Sequence, residues 1–377
     1  MKGKQGMVCM GLLLVLSSCH TGKQITASGL QRKDFQTEVN GQHTDLFTLS
    51  NKQGMEVCIT NYGARVVSIL VPDRNGKRED VVCGFSTITE YMEQRQNFGS
   101  TVGRYIGRIL NARFTLDGVE YKLVPNNGKS GHISHGGNPG FADRIWKVEQ
   151  ADTHRVCLSY LSPDGENGFP GNLKVTLVYS LGEDDNALDL TYEATTDAPT
   201  VLNLSHHSFF NISGNFTKSV EDQQLWVDAD RFTPYDDKKC VTGEYLPVAG
   251  TPLDFRMPHA IGECIDADHP QLKVVNGYDH TWELNTKGDD TRPAAWVYDP
   301  ASGRKMEIFT TEPGMQIYTG NGLKGKMTGK RGIAYPFRSA VCFETMHFQD
   351  SPNHPGFPST VLRPGEVFRS HTVYKFE

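Results

Sequence analysis

Two runs of alternating apolar and polar residues near the middle of the chain constrain its fold most. The apolar positions of the first run are Leu173, Val175, Leu177 and Tyr179. After an acidic turn at residues 182–186, the apolar positions of the second run are Leu188, Leu190 and Tyr192. Successive side chains of a strand point to opposite faces of its sheet. The pattern therefore predicts an antiparallel hairpin with one buried face.

Short strand-like runs also occur along the rest of the chain, at residues 55–60, 64–71, 200–205, 224–228, 305–311 and 340–346. Turns rich in Gly, Pro, Asp and Asn separate them. One short helix is expected at 86–94, and no long segment has helical periodicity. Many short strands without alternating helices favour an all-β sandwich or barrel. The sequence has no internal repeat and no low-complexity linker after residue 35, which favours one domain over residues 35–377.

Charge and composition limit the kinds of molecule that this chain is expected to bind. The 377 residues include 38 Lys plus Arg and 44 Asp plus Glu, a formal net charge of −6, and 37% are hydrophobic. This composition is ordinary for a globular protein. Because no basic cluster is present, nucleic acid is not expected as a partner.

The first residues have the features of an export signal. Lys2 and Lys4 precede a nearly continuous apolar run at 7–16, which is too short to span a bilayer but has the length of a secretory h-region. The ending Leu-Ser-Ser-Cys at 16–19 resembles a bacterial lipobox. This implies removal of residues 1–18, lipidation of Cys19, a polar tether over residues 19–34, and an exported lipoprotein on the periplasmic side or cell surface. A plain secretory signal is the alternative. The lipid anchor is the only membrane contact expected.

The remaining six cysteines are scattered and form no Cys-x-x-Cys pair, which argues against a zinc ribbon or a thioredoxin-type site. Cys58 and Cys342 lie in strand-like runs and are expected to be buried free thiols. The sequence assigns no disulfide.

Two groups of histidines are candidates for chemistry. His206 and His207 end a strand-like run, and neighbours on a strand point to opposite faces, so only one is expected to be functional. His132 and His135 precede Gly136-Gly137, a loop in which a ligand can come close to the backbone. A metal site there would need further ligands, and we expect none.

Three charged residues are less distinctive. Glu344 shares a strand face with Cys342 and Met346, and burying a carboxylate is costly unless it is paired or used. Asp279 lies in a turn-like segment, where backbone hydrogen bonding explains an aspartate. Arg108 is compatible with an ordinary surface charge. Individually, each of these residues has a structural explanation.

Six motifs nevertheless follow one another in a recognisable order. They lie at 103–109 (with 112–116), 134–137, 203–211, 277–280, 312–321, and 344–353 continuing to 362–366. Together they resemble the aldose 1-epimerase (galactose mutarotase) family from about Phe35 to the C-terminus. The resemblance implies a large antiparallel β-sandwich, the galactose mutarotase-like supersandwich, with an open cleft for a free sugar.

The resemblance also implies the activity and the residues that carry it. The activity is interconversion of the α and β anomers of free aldohexoses such as glucose or galactose. Glu344 corresponds to the general base and His207 to the general acid, and the sugar-binding positions are Arg108, His135, Asp279 and Gln316. A free monosaccharide is the expected partner, a monomer or homodimer the expected state, and no cofactor is needed because no electron is transferred.

The chain departs from the family pattern at three positions. Gly107 stands where the family usually has Asn, so a hydrogen bond to the sugar is either missing or supplied elsewhere. Met346 and Gln349 stand where Gln and Pro are usual. These departures bear on substrate preference more than on chemistry, because the acid and the base are both kept.

Ring opening needs a proton removed from the anomeric hydroxyl and another delivered to the ring oxygen. Glu344 is expected to have a raised pKa beside apolar neighbours, and His207 is expected to hold its proton longer beside a carboxylate. Phe209 and Tyr318 are expected either to pack on the sugar or to belong to the core.

Three other functions compete with this one. They are a non-catalytic carbohydrate-binding lipoprotein, a glycosidase using Asp279 and Glu344 as its carboxylate pair, and a sugar-phosphate epimerase. A pure binder does not need an acid–base pair, and export argues against phosphorylated substrates.

Overall fold

A computed structural model describes residues 24–377. The predicted signal peptide and Cys19 lie outside the described residues. Within residues 24–377, no helix is both long and apolar enough to cross a bilayer.

The described chain consists mainly of short strands. The strands of its first half are β1 Glu38–Val39, β2 Gln42–His43, β3 Leu46–Ser50, β4 Glu56–Thr60, β5 Arg65–Pro72, β6 Arg78–Asp80, β7 Ser100–Val102, β8 Arg108–Ile109, β9 Arg113–Leu116, β10 Val119–Lys122, β11 Ile133–Ser134, β12 Lys147–Ala151, β13 Arg155–Ser162, β14 Leu173–Leu181 and β15 Ala187–Thr196. Those of its second half are β16 Thr200–Val201, β17 Ser205–His207, β18 Phe209–Phe210, β19 Gln224–Val227, β20 Arg231–Thr233, β21 Leu246–Pro247, β22 His259–Ala260, β23 Asp279–Glu283, β24 Ala295–Tyr298, β25 Lys305–Thr310, β26 Gly314–Tyr318, β27 Val341–Met346, β28 Val361–Leu362 and β29 Phe368–Phe376.

Helical segments are few and short. The α-helices of the described residues are α1 Ile88–Gln94 and α2 Pro270–Val275. Single 3-10 turns lie at Arg32–Phe35, Leu110–Ala112, Gly128–Ser130, Phe141–Asp143, Glu166–Gly168, Ile261–Glu263, Lys330–Gly332 and Ser351–Asn353.

Three antiparallel sheets form the body of the molecule. The largest has nine strands in the order β12-β13-β14-β15-β29-β25-β24-β19-β22. A six-stranded sheet has the order β18-β27-β26-β23-β20-β21, and a four-stranded sheet the order β3-β4-β5-β6. The predicted all-β antiparallel sandwich is confirmed.

The central hairpin of the large sheet is the one that the alternating pattern predicts. Strands β14 and β15 pair antiparallel, with Leu177 opposite Tyr192. The apolar positions of both strands are buried in the main core. Burial of one large apolar side chain contributes about 1.5–3 kcal/mol, so this face anchors the sandwich.

Strand β27 is buried on both faces, and its two faces have different roles. Val341 and Phe343 lie in the main core with the large sheet, and Thr345 Oγ1 is 2.6 Å from Thr372 Oγ1 on β29. Glu344 points the other way, as the sequence predicts, along with Cys342 and Met346. The outer face of the six-stranded sheet therefore carries a carboxylate.

Helix α1 confirms the one predicted helix and has clear boundary residues. Thr87 Oγ1 accepts a hydrogen bond from Glu90 N at 3.2 Å, and the Glu90 carboxylate accepts one from Thr87 N at 2.9 Å, which forms a capping box. Arg95 ends the helix in the left-handed conformation, with φ 47°. This turn directs residues 96–97 toward the outer face of the six-stranded sheet.

The described part of the predicted tether, residues 24–34, packs against the domain instead. Leu30 is buried, Ser28 N donates to Glu56 Oε1 at 3.1 Å, and Arg32 pairs with Asp45. The buried Leu30, the hydrogen bond from Ser28 N to the Glu56 side chain and the ion pair of Arg32 hold this segment, although its composition is mostly polar. The folded unit therefore begins before residue 35.

The six cysteines of the described chain are free thiols, and four of them are buried: Cys58, Cys83, Cys240 and Cys342. The prediction of buried free thiols at Cys58 and Cys342 is confirmed.

Candidate active site

A cavity of about 230 Å³ opens on the outer face of the six-stranded sheet. Its walls are formed by Gln96, Asn97, Gly107, Arg108, Ser134, His135, His207, Phe209, Asp279, Gln316, Tyr318, Glu344, Met346 and Gln349. The six catalytic and sugar-binding residues predicted from the sequence all line this cavity. Segments that are more than 200 residues apart in the chain thus meet in one polar pocket.

The two adjacent histidines separate as the strand geometry predicts. Strand β17 pairs with β7 and directs His206 into the core, where its Nε2 is 2.7 Å from Ser208 Oγ and its ring packs against Tyr179. Burial lowers the pKa of His206 to about 3. His207 points into the cavity, so it is the histidine available for chemistry.

His207 faces Glu344 across the floor of the pocket. His207 Nε2 is 3.4 Å from Glu344 Oε1, and both side chains are buried. Phe209 stacks on the imidazole, with ring centroids 5.0 Å apart and planes 12° apart. Nδ1 of His207 is buried without a hydrogen-bond partner among the described residues. The imidazole is therefore fixed by packing, with one nitrogen directed at the carboxyl group.

The electrostatics of this pair partly contradict the sequence prediction. Burial, together with the nearby charge of Asp279, raises the pKa of Glu344 well above its ordinary value, as predicted. Burial, together with His135 and His206, lowers the pKa of His207 well below its ordinary value. The prediction that His207 holds its proton longer was wrong, because loss of hydration outweighs the attraction of one carboxylate.

Both shifts favour the neutral forms, a carboxylic acid beside an imidazole. Transfer of the carboxyl proton to the ring converts this neutral pair to a carboxylate and an imidazolium without changing the number of protons. The two arrangements are tautomers of one state that carries a single proton. The pair can therefore act as acid and base in either direction.

Arg108 and His135 reach the pocket from a small two-stranded sheet. Strand β8 pairs with β11, with Ser134 opposite Arg108, and His135 N donates to Gly107 O at 2.9 Å. His135 has φ 53°, a left-handed conformation that turns the chain at this point. Burial and the charge of Arg108 lower the pKa of His135 to about 4. A neutral imidazole therefore stands beside a guanidinium.

Asp279 and Gln316 come from neighbouring strands, β23 and β26. Gln316 Nε2 donates to Asp279 Oδ1 at 2.6 Å and to Tyr235 OH at 3.4 Å, while its Oε1 accepts from Thr281 Oγ1 at 2.5 Å. Burial raises the pKa of Asp279. The amide of Gln316 is occupied by protein partners, so in this arrangement it holds Asp279 in place.

These groups form a ring around the cavity. His207 lies next to Glu344, and its ring centroid is 5.5 Å from that of His135. The charge of Arg108 acts on both His135 and Asp279, and the charge of Asp279 acts on Glu344. A ring of acids, bases and hydrogen-bonding groups suits a small ligand with hydroxyl groups along its whole edge.

The structure adds pocket residues that sequence reasoning missed. Asn97 follows α1, and nothing in its surrounding sequence indicates a site. Gln349 was noted only as a departure from the family pattern. Phe209 and Tyr318, which were expected either to pack on the sugar or to belong to the core, both line the cavity and also contact a buried apolar cluster, and Phe209 stacks on His207.

One cluster in the described chain has the donors that a metal requires. The ligand atoms of His207, Cys342 and Glu344 lie within 4.8 Å of one another, and all three residues are buried. Such N, S and O donors suit zinc. Burial raises the pKa of the Cys342 thiol well above its ordinary value, so a metal would have to displace a strongly held proton.

Comparison with known proteins shows which family this chain is similar to. Residues 45–375 match the family model described as aldose 1-epimerase. The galactose mutarotase of Bos taurus is 40% identical over 331 residues, which cover 88% of this chain and 93% of the relative. The aldose 1-epimerase of Escherichia coli (strain K12) is 37% identical over 340 residues, covering 89% and 96%.

Solved structures agree with these sequence matches. The GalM/aldose epimerase homologue from C. elegans has a TM-score of 0.81 and 31% identity, covering 89% of this chain and 99% of that chain. The galactose 1-epimerase from Lactobacillus acidophilus NCFM has a TM-score of 0.79 and 28% identity, covering 90% and 96%. Since the match extends over nearly the whole described chain in both sequence and fold, this protein belongs to the aldose 1-epimerase family.

Proposed function

We propose that this protein is a mutarotase, which interconverts the α and β anomers of free aldohexoses such as glucose or galactose. The observation that carries the proposal is the buried pair of Glu344 and His207, 3.4 Å apart in a cavity ringed by hydrogen-bonding groups. Family membership supports the same reaction. A binder without catalytic activity would have no use for this acid–base pair.

The reaction needs one proton acceptor and one proton donor. The carboxylate of Glu344 accepts the proton of the C1 hydroxyl while the imidazolium of His207 donates a proton to the ring oxygen. The bond between C1 and the ring oxygen breaks, which leaves an open-chain aldehyde. Rotation about the C1–C2 bond presents the other face of the carbonyl, and the reverse proton transfers close the ring as the other anomer.

The ring of polar groups binds the sugar in one orientation. We place C1 of the sugar at Glu344 and its ring oxygen at His207. The part of the sugar beside the ring oxygen then faces His135, and the hydroxyl groups on the far side from the ring oxygen face Arg108 and Asp279. Gln316 contributes by orienting Asp279. Holding the reacting atoms in this way lowers the entropic cost of bringing them together, which contributes to the acceleration of the reaction.

We further propose that the protein acts outside the cytoplasm as a lipoprotein anchored through Cys19. The lipobox-like residues 16–19 and the preceding apolar run support this location. Labelling of the wild type by a palmitate analogue, with loss of the label in Cys19→Ala, tests the anchor. We propose a monomer or a homodimer as its oligomeric state.

Polarimetry on freshly dissolved α-glucose and α-galactose tests the proposed activity. The wild type is expected to accelerate equilibration, and Glu344→Gln and His207→Ala are each expected to lower the rate by about 10²–10⁴-fold. The matched controls are Glu38→Gln and His43→Ala, whose side chains are 60% and 79% exposed. An inactive wild type, or unchanged rates in both pocket variants, would reject the proposal.

A further inference from the structure

Two of the departures from the family pattern are in direct contact. A Cβ atom built on Gly107 would lie 2.5 Å from Gln349 Cγ and 3.2 Å from Gln349 Oε1. Carbon atoms do not approach to 2.5 Å without displacement, so the glutamine side chain fills the space that a side chain at 107 would need. Any larger residue at 107 and the glutamine at 349 compete for one volume.

Gln349 is also bonded into the sugar pocket. It is 4% exposed and lines the cavity. Its Nε2 donates to Tyr235 OH at 2.6 Å and to Gln316 Oε1 at 3.3 Å. Its Oε1 accepts from Arg108 N at 3.2 Å. The side chain therefore links the strand that carries Arg108 to the residue that holds Asp279.

The hydrogen-bond capacity of this amide leaves one position for a ligand. Both Nε2 protons are used within the protein. A carbonyl oxygen has two lone pairs, and Arg108 N uses one of those on Oε1, so within the described chain one acceptor position remains beside the pocket. A sugar hydroxyl is a donor of the right chemistry for it.

We infer that Gln349 is a specificity-determining residue whose amide takes the place of the asparagine amide that is usual at position 107 in the family, and that its Oε1 accepts a hydrogen bond from a sugar hydroxyl next to Arg108. This inference rests on the proposed mutarotase function. It explains why two of the three departures from the family pattern, Gly107 and Gln349, occur together, since each change makes room for or compensates the other.

The inference predicts a specific coupling between the two positions. Gln349→Met keeps the length of the side chain but removes both amide groups, and it is expected to raise KM for galactose by about 5- to 20-fold, with kcat changed less than about threefold. Gly107→Asn alone is expected to raise KM similarly, because the new side chain overlaps Gln349. The double variant Gly107→Asn/Gln349→Ala removes the overlap, and asparagine tolerates the left-handed conformation of position 107 (φ 77°), so KM is expected to return to within about threefold of the wild type.

Polarimetric kinetics together with calorimetric titration of galactose measure these effects. Gln150→Met, at an exposed position of β12, is the control and should change neither KM nor Kd. Thermal unfolding of each variant verifies that it is folded. A merely structural role of Gln349 would lower stability and leave KM of the folded fraction unchanged.

An unchanged KM and Kd in Gln349→Met would overturn the inference, as would a KM of the double variant that stays as high as that of Gly107→Asn. A wild type that binds galactose without accelerating mutarotation would instead reject the proposed function. In that case the Kd values of the same variants would still decide the role of Gln349.

Discussion

Glu344 and His207 lie 3.4 Å apart, and each is shifted toward its neutral form. With ordinary pKa values of 4.5 and 6.5, such a pair would hold one proton only over the narrow interval between them. Raising the carboxyl pKa and lowering the imidazole pKa reverses their order. The pH range in which the pair holds one proton then extends from the lowered pKa of His207 to the raised pKa of Glu344.

We therefore expect a broad pH profile. In kcat/KM, the acid limb should lie below the ordinary pKa of His207, where the pair gains a second proton, and the alkaline limb should lie well above the ordinary pKa of Glu344, where the pair loses its last proton. Polarimetric rates from pH 4 to 10 measure this. An acid limb near pH 4.5 together with an alkaline limb near pH 6.5 would show that the two groups titrate in their ordinary order.

Asp279 is expected to set the alkaline limb of that profile. Its negative charge is the second cause of the raised pKa of Glu344, after burial. Asp279→Asn removes the charge and is expected to move the alkaline limb to lower pH by about half a unit or more. KM should also rise, because Asp279 lines the sugar pocket.

The exposed Asp289→Asn provides the control for charge removal at a distance, since Asp289 is about half exposed. An alkaline limb that moves to higher pH, or stays in place, would separate Asp279 from the titration of Glu344.

Local periodicity was sufficient to predict the β14–β15 hairpin and the two faces of β27, because a period of two depends only on neighbouring residues. The same argument correctly predicted that the side chains of His206 and His207 point to opposite faces. The gathering of Arg108, His135 and Asp279 in one pocket followed from family motifs rather than from periodicity. Their separation along the chain is too large for local pattern to relate them.

Properties that depend on long-range burial were not predictable in this way. The lowered pKa of His207 depends on loss of hydration and on a neighbouring loop that brings His135 to the ring. The contact of Gly107 with Gln349 joins segments 242 positions apart, and no local pattern relates them. The packing of residues 24–34 depends on Leu30, which joins a buried cluster with Leu46 and Cys58, and polar composition alone does not reveal it.

The motif at 103–109 contains two arginines, which have different roles in the structure. Arg108 lines the cavity, whereas Arg104 is 2% exposed and donates to Pro170 O at 2.8 Å, Gly171 O at 2.9 Å and Pro163 O at 2.9 Å. Arg104→Met leaves these carbonyl oxygens without their donor and is expected to lower the free energy of unfolding by about 3 kcal/mol or more. The rate per folded molecule should change little.

Denaturant unfolding measures this loss, with Arg113→Met, at a position 57% exposed, as the control. A stable Arg104→Met protein with lost activity would assign Arg104 to the site instead of the scaffold.

His371 is expected to make stability depend on pH. On β29, its Nδ1 lies 2.7 Å from Asp290 Oδ2 and its Nε2 lies 3.0 Å from Asp189 Oδ1. Hydrogen bonding to Asp189, and then to Asp290, raises the pKa of His371 to about 9. A raised pKa in the folded state stabilises the protein fully below the unfolded value near 6.5, and this contribution disappears as the pH rises through about 9.

Since about a third of each side chain is exposed, solvent screening limits this contribution to about 1 kcal/mol. His371→Gln is therefore expected to lower the free energy of unfolding by about 1 kcal/mol at pH 6 and by much less at pH 9.5. Urea unfolding of both proteins at the two pH values measures the difference. A loss of equal size at both values would mean that packing of the ring, and not its charge between two carboxylates, accounts for its effect on stability.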